Sequence, residues 1–275
     1  MPFDLRALGL GAALSLTLIA PARAQTAEVE ALMDALRFGE VVEIMRVEGL
    51  DYAEELARDM LPGGETDAWQ EAVATIYDPA RMEATVRASF VESFGDTDAA
   101  PLVEFFTEGP GADFVRLENS ARAAMSDDSV EESAREMARA AVEDPDDRFA
   151  LLERFVAAND LVESNVEGAM NASYQFYRGL SDGGGIELGE EDILRDVWAQ
   201  ETEMRADTGE WVYAFLLMAY RPMEDAAIER YIDLSETEAG EALNVALFSA
   251  FDRMYADISY ALGLALARNM GTQEL

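Results

Sequence analysis

Along almost its whole length this chain places apolar residues at every third or fourth position. Nowhere do β-branched and polar residues alternate over the length of a strand. A chain patterned in this way buries its apolar side only by packing helix on helix, so the fold class is all-α. The spacing predicts helices at about 26–38, 40–61, 66–77, 79–94, 98–106, 109–126 and 129–143, then at 147–159, 161–180, 190–206, 210–221, 224–234 and 236–268. Breaks fall at Pro62–Gly64 and at the loop Ser181–Gly189. Asp78-Pro79 puts a capping carboxylate before a proline in the first helical turn, and Asp144-Pro145 reads as the same device. Ser235 with Glu238 reads as a capping box. In the last helix Leu243, Leu247, Ala250, Met254, Ile258 and Leu262 form one stripe aimed at a core.

The chain has no Cys, no His and no Lys, and all 20 of its basic residues are arginines. That removes the Ser-His-Asp triad, the thiol nucleophile, and thiolate or imidazole metal sites. It also removes the Schiff-base lysine and the phosphate-binding lysine of a P-loop. Against 56 acidic residues the formal charge is −36, a surface that repels nucleic acid and anionic lipid. Nucleic acid is therefore excluded as a partner, and the acidity reads as a strongly hydrated surface.

At the N-terminus Arg6 precedes an uncharged apolar run, Ala7 to Ala20, and then Pro21-Ala22-Arg23-Ala24. This order of charge, short apolar run and small residues predicts a secretory signal peptide, residues 1–24, cleaved after Ala24. The run is shorter than the roughly 20 residues a spanning helix needs, and no later segment reaches that length. The expected location is periplasmic or secreted, from a Gram-negative bacterium, with no membrane span after cleavage. Loss of Asp4, Arg6 and Arg23 takes the mature charge from −36 to −37. Without cysteine, packing alone holds the mature chain together.

The two halves resemble each other. A shift of 129 residues brings Trp69 onto Trp198, Asp78 onto Asp207, Asp96 onto Asp225, Gly111 onto Gly240, Ser120 onto Ser249 and Met125 onto Met254. A shift of 130 brings Gly49-Leu50 onto Gly179-Leu180. The expected organisation is a helical bundle of two similar antiparallel multi-helix repeats, residues 25–145 and 146–275.

Sites are sparse. The stretch Phe105–Phe114 (FFTEGPGADF) has the glycines of an anion nest, but Pro110 lacks an amide and Glu104, Glu108 and Asp113 oppose an anion. Its counterpart Leu234–Leu243 (LSETEAGEAL) keeps a capping group and a glycine. Both read as joints between helices. Glu92-Ser93 opens like the motif of lytic transglycosylases but lacks its continuation. The carboxylates Asp96 and Asp98, Asp144–Asp147 and Asp182–Asp192 do not follow the order of a Ca²⁺ loop, and read as caps and solvated turns. Asn171-Ala172-Ser173 matches a glycosylation sequon inside a predicted helix. Trp69, Trp198 and Trp211 read as core. No catalytic, cofactor-binding or metal-ligating residue is assigned, and no cofactor is expected.

An acidic turn, a short helix ending in an aromatic pair, a capping group and then Pro or Gly before an amphipathic helix resembles domain-of-unknown-function family 2059. The usual pattern there is close to Phe-Tyr-x-Ser-Pro-x-Gly. Phe105-Phe106-Thr107-Glu108-Gly109-Pro110-Gly111 carries it with Pro displaced by one position, and Leu234–Gly240 carries it without the aromatic pair and the Pro. The resemblance implies an all-helical exported protein and brings no catalytic residues with it. The expected function is a non-enzymatic interaction module for an unknown protein or small-molecule partner. The alternative is a carboxylate-dependent enzyme acting on cell-wall glycan.

Overall fold

The computed structural model describes residues 19–61 and 64–272. The predicted signal peptide falls mostly outside the described residues, as do Pro62 and Gly63 of the first break. The chain is all-helical, with no strand among the described residues. The helices in order are α1 (Ile19–Ala35), α2 (Phe38–Met60), α3 (Asp67–Ile76), α4 (Pro79–Phe94), α5 (Ala100–Thr107), α6 (Gly111–Met125) and α7 (Asp128–Glu143). They continue with α8 (Asp147–Ala158), α9 (Leu161–Asp182), α10 (Glu190–Ala199), α11 (Glu201–Tyr220), α12 (Asp225–Ser235) and α13 (Glu238–Thr272). Among the described residues no helix is long and apolar enough to cross a membrane.

Most boundaries follow local chemistry. Asp78 accepts a hydrogen bond from the Arg81 amide at 2.9 Å and Pro79 occupies the first turn of α4, as the sequence predicts. Three expectations are corrected. Asp144 ends α7, and the cap of α8 is Asp146, whose carboxylate accepts from the Phe149 amide at 2.8 Å. Ser235 closes α12, its hydroxyl donating to the Tyr231 carbonyl, and Thr237 caps α13 by accepting from the Gly240 amide at 3.1 Å. In both cases the side chain nearer the helix reaches the exposed amides, because a cap acts only two or three residues ahead.

The third correction concerns the predicted helices 190–206 and 210–221. The chain breaks at Gln200 instead, and α11 runs unbroken through Gly209. Tertiary ion pairs hold that turn. Arg135 of α7 reaches Asp207 at 3.0 Å and Glu210 at 3.3 Å, spanning the glycine, and Arg205 pairs with Glu201 and with Glu163 of α9. At the far end, Arg148 of α8 donates to the Tyr220 and Met223 carbonyls and pairs with Asp225, which closes α11 and opens α12.

The core does not divide at residue 145. One apolar cluster joins Leu32, Trp69, Phe90 and Leu102 to Ala250 and Leu262 of α13. A second joins Phe114 of α6 to Leu152, Tyr220, Ile228 and Ile232. Accordingly α4 packs on α13, while α11 packs on α6 and α7, so each half supplies a helix to the other. The stripe from Leu243 to Leu262 is buried as its spacing predicts, apart from the half-buried Leu247. The most extensive helix pair is α9 with α13. These two cross with Gly179 and Gly263 laid against each other's backbone. A Cβ on Gly179 would lie 2.1 Å from the Tyr260 carbonyl oxygen, and one on Gly263 would lie 2.1 Å from that of Phe176.

Candidate functional site

Where α2, α6, α9, α11 and α13 converge they do not close completely. They leave a cavity of about 570 Å³, within the 300–1,000 Å³ span common for small-molecule sites. Large apolar side chains form most of its wall, among them Trp211, Phe215, Phe248 and Phe251. Trp211 and Phe215 stack at 5.3 Å between ring centroids. All four are only partly buried, although each lies inside the helical framework, because they face the empty space.

The charged residues on this wall stand on two helix faces. On α6, Val115, Glu118, Asn119 and Arg122 follow the i, i+3, i+4, i+7 spacing of one face. On α13, Phe248, Phe251, Asp252 and Tyr255 follow the same spacing. Glu118 sits among Tyr220, Tyr231 and Phe155, and its Oε1 accepts a hydrogen bond from the Tyr220 hydroxyl at 2.6 Å. Burial pushes the Glu118 carboxyl above its ordinary range, and the Tyr220 hydrogen bond recovers only part of the shift. Burial likewise pushes the hydroxyls of Tyr220 and Tyr231 well up, and the Glu118 charge adds to both.

Arg122 is the single cation on the wall, and it is engaged. Its Nε and Nη2 hold Glu48 of α2 in a two-pronged pair at 2.9 and 2.8 Å, and Nη2 also donates to the Tyr255 hydroxyl at 3.1 Å. Asp252 is different. No hydrogen bond or ion pair reaches its carboxylate among the described residues, and it lies over Gly168, where a Cβ would meet its Oδ1 at 2.4 Å. Burial pushes its pKa up to about 6, with the Glu167 charge adding. Asn119, 6 % exposed, has an Nδ2 with no partner. Such buried, unsatisfied groups are rare in native proteins and call for an explanation.

Of the segments singled out in the sequence, Leu234–Leu243 reaches the wall through Leu234, Ser235, Gly240 and Leu243, and most of the others lie elsewhere. FFTEGPGADF is a joint, since a Cβ on Gly111 would lie 2.7 Å from the Phe105 carbonyl oxygen and 2.6 Å from the Phe106 ring. Gly240 repeats this geometry, its Cβ position lying 2.0 Å from the Leu234 oxygen. Glu92 is exposed on α4, and Asp98 accepts a hydrogen bond from the Ala100 amide at the start of α5. Asp182 accepts from the Tyr260 hydroxyl, Asp192 pairs with Arg195, and Asn171 is exposed on α9. Among the described residues no three His, Cys, Asp or Glu side chains converge as metal ligands. The tryptophans divide. Trp69 is core as expected, but Trp198 is 64 % exposed and Trp211 lines the cavity.

Glu118 and Asp252 went unnoticed in the sequence, yet each leaves a trace there. Glu118 occupies a position in the stripe Phe114, Glu118, Ala121, Met125, whose other members are buried and apolar. Asp252 stands inside an aromatic stripe on a second face of α13. A carboxylate at an apolar register position breaks the amphipathic pattern and calls for a partner or an open space beside it. Compared with family models, with curated proteins and with solved structures, the chain matches none.

Proposed function

We propose that the protein is an exported, non-enzymatic binding protein whose small-molecule ligand occupies the cavity framed by α2, α6, α9, α11 and α13. The observation that carries this reading is the cavity itself, about 570 Å³ of mainly aromatic and aliphatic wall interrupted by a few polar groups. Export rests on the order of charge, apolar run and small residues before Gln25. The resemblance to domain-of-unknown-function family 2059 agrees with it and rests on the two joint segments alone.

Duplication accounts for where the cavity lies. The pairs α1–α5, α2–α4 and α5–α6 have counterparts in α8–α12, α9–α11 and α12–α13, about 129 residues later. The exchange is reciprocal, α4 lying on the late helix α13 and α11 on the early helices α6 and α7. Gly111 and Gly240 make the same close approach, and Gly49, whose Cβ would meet the Tyr77 ring at 2.1 Å, matches Gly179. Residues of both halves line the cavity, as expected of a space left between two such halves.

A second reading is a carboxylate-dependent enzyme acting on cell-wall glycan, favoured by Glu118, a buried carboxyl with a raised pKa. The apolar wall weighs against it, because a sugar chain needs a polar cleft. Native mass spectrometry of the protein purified gently from its envelope, with a peptidoglycan-turnover assay beside it, tests both. A retained small molecule of defined mass supports the binding reading. Turnover of peptidoglycan that is abolished by Glu118→Gln would replace it with the enzymatic one.

A further inference from the structure

We infer that the ligand of this cavity is an organic cation with an apolar body, a hydrophobic amine or quaternary ammonium, held between Glu118, Asp252 and the aromatic rings around them. This inference rests on the binding reading above and adds the charge of the ligand. The wall carries three charged residues, Glu118, Arg122 and Asp252. The charge of the one cation is already matched by Glu48, which takes its Nε and Nη2, and Nη2 also donates to Tyr255. Arg122 therefore offers an anionic headgroup only its Nη1 donors, its charge being already matched by Glu48. The two carboxyls have no cationic partner among the described residues, Glu118 keeping only the Tyr220 hydroxyl. A buried carboxylate without a counter-charge is unfavourable, and a bound cation would relieve it.

The rings favour the same charge. Phe155 lies 4.9 Å from Tyr231 and 5.4 Å from Tyr220, centroid to centroid, and these three rings share the cavity wall with Glu118. Trp211 and Phe215 line the cavity as a stacked pair. Ring faces attract cations and repel anions, most strongly where water is excluded. A net charge of −36 enriches cations around the whole molecule and depletes anionic amphiphiles. Aliphatic and aromatic wall receives the apolar body. The raised pKa values of Glu118 and Asp252 report the same uncompensated burial, and a cation would lower both.

The test uses three probes with one tail and different heads, decyltrimethylammonium, decanol and decyl sulfate, each below its micellar concentration. Calorimetry and thermal shift are read on the full mature chain and on the Glu118→Gln, Asp252→Asn and Ala172→Phe variants. Asp252→Asn guards against misfolding of the deeper Glu118 variant, and Ala172→Phe fills the cavity from α9. The expected result is stoichiometric binding of the ammonium about tenfold or more tighter than the other two. Each carboxyl variant should reduce that preference severalfold, and Ala172→Phe should abolish binding. Equal affinity for all three heads, or preference for the alcohol or the sulfate, overturns the cation inference while leaving the binding reading intact. Ammonium binding that survives all three variants is adsorption to the acidic surface and also overturns it. Failure of every probe to bind or to shift melting overturns both readings.

Discussion

The crossing of α9 and α13 makes one substitution give opposite results at two glycines. A Cβ on Gly263 would lie 2.1 Å from the Phe176 oxygen and 2.8 Å from the Leu180 amide nitrogen, both backbone atoms of α9. No rotamer change relieves that contact, since non-bonded carbon needs about 3.5 Å, and the helices must part by roughly 1 Å. Overpacking of this kind costs about 1–3 kcal/mol, and backbone contacts place it at the upper end. Replacing glycine by alanine inside a helix returns about 1 kcal/mol. Gly263→Ala should therefore destabilise by about 2 kcal/mol net, or roughly 4–8 °C in melting temperature. Gly209 sits in the interior of α11 with nothing within 4 Å of its Cβ position. There the same change keeps only the helix term, and Gly209→Ala should raise melting by roughly 2–4 °C. Gly179→Ala should resemble Gly263→Ala, and the double variant should cost less than the sum, because the helices part once. Thermal and urea unfolding followed by circular dichroism reads all four. A neutral or stabilising Gly263→Ala would refute the close crossing and with it the placement of α9 beside the cavity.

Asp252→Asn tests the uncompensated carboxyl. An acid whose folded pKa of about 6 exceeds its ordinary 3.8 binds more protons folded than unfolded between those values, so stability falls as pH rises through that window and stays low above it. With partial solvent exposure discounting the shift, Asp252→Asn should stabilise by about 1 kcal/mol at pH 7.5 and by almost nothing near pH 4, measured as melting temperature against pH. Tyr220→Phe removes the donor to Glu118 and should cost about 1–3 kcal/mol, more at pH 8 than at pH 5, where a protonated carboxyl needs that donor less. Glu48→Ala strands Arg122 between α2, α6 and α13 and should cost about 2–3 kcal/mol in urea unfolding, less than a fully buried pair because a quarter of each side chain meets solvent. Thr237→Ala and Asp146→Ala should each lose about 1 kcal/mol as true caps, whereas Asp144→Ala should lie within about 0.5 kcal/mol of the parent.

The helices themselves were legible in the sequence because their causes are local. Asp78-Pro79 begins α4, and the spacing from Leu243 to Leu262 buries one face of α13, with partners only a few residues away. Where reading failed locally, it failed by two residues at caps, as with Ser235 and Thr237. At Gly209 it failed because the support for α11 comes from Arg135, 72 residues before its partner Asp207. A period of three to four shows which faces of a helix are apolar. It does not show which helix covers each face, or whether a face is covered at all. The second stripe of α13, Phe248 to Tyr255, looks in sequence like more core, and Glu118 looks like one more surface acid in a chain that has 56 acidic residues. Only the packing of α11 on α6 and of α9 on α13 brings these stripes to one unfilled space. Helix formation is decided by hydrogen bonds four residues apart, and the sequence determined it. The cavity joins side chains from Leu36 to Tyr255, and only tertiary packing could place them around it.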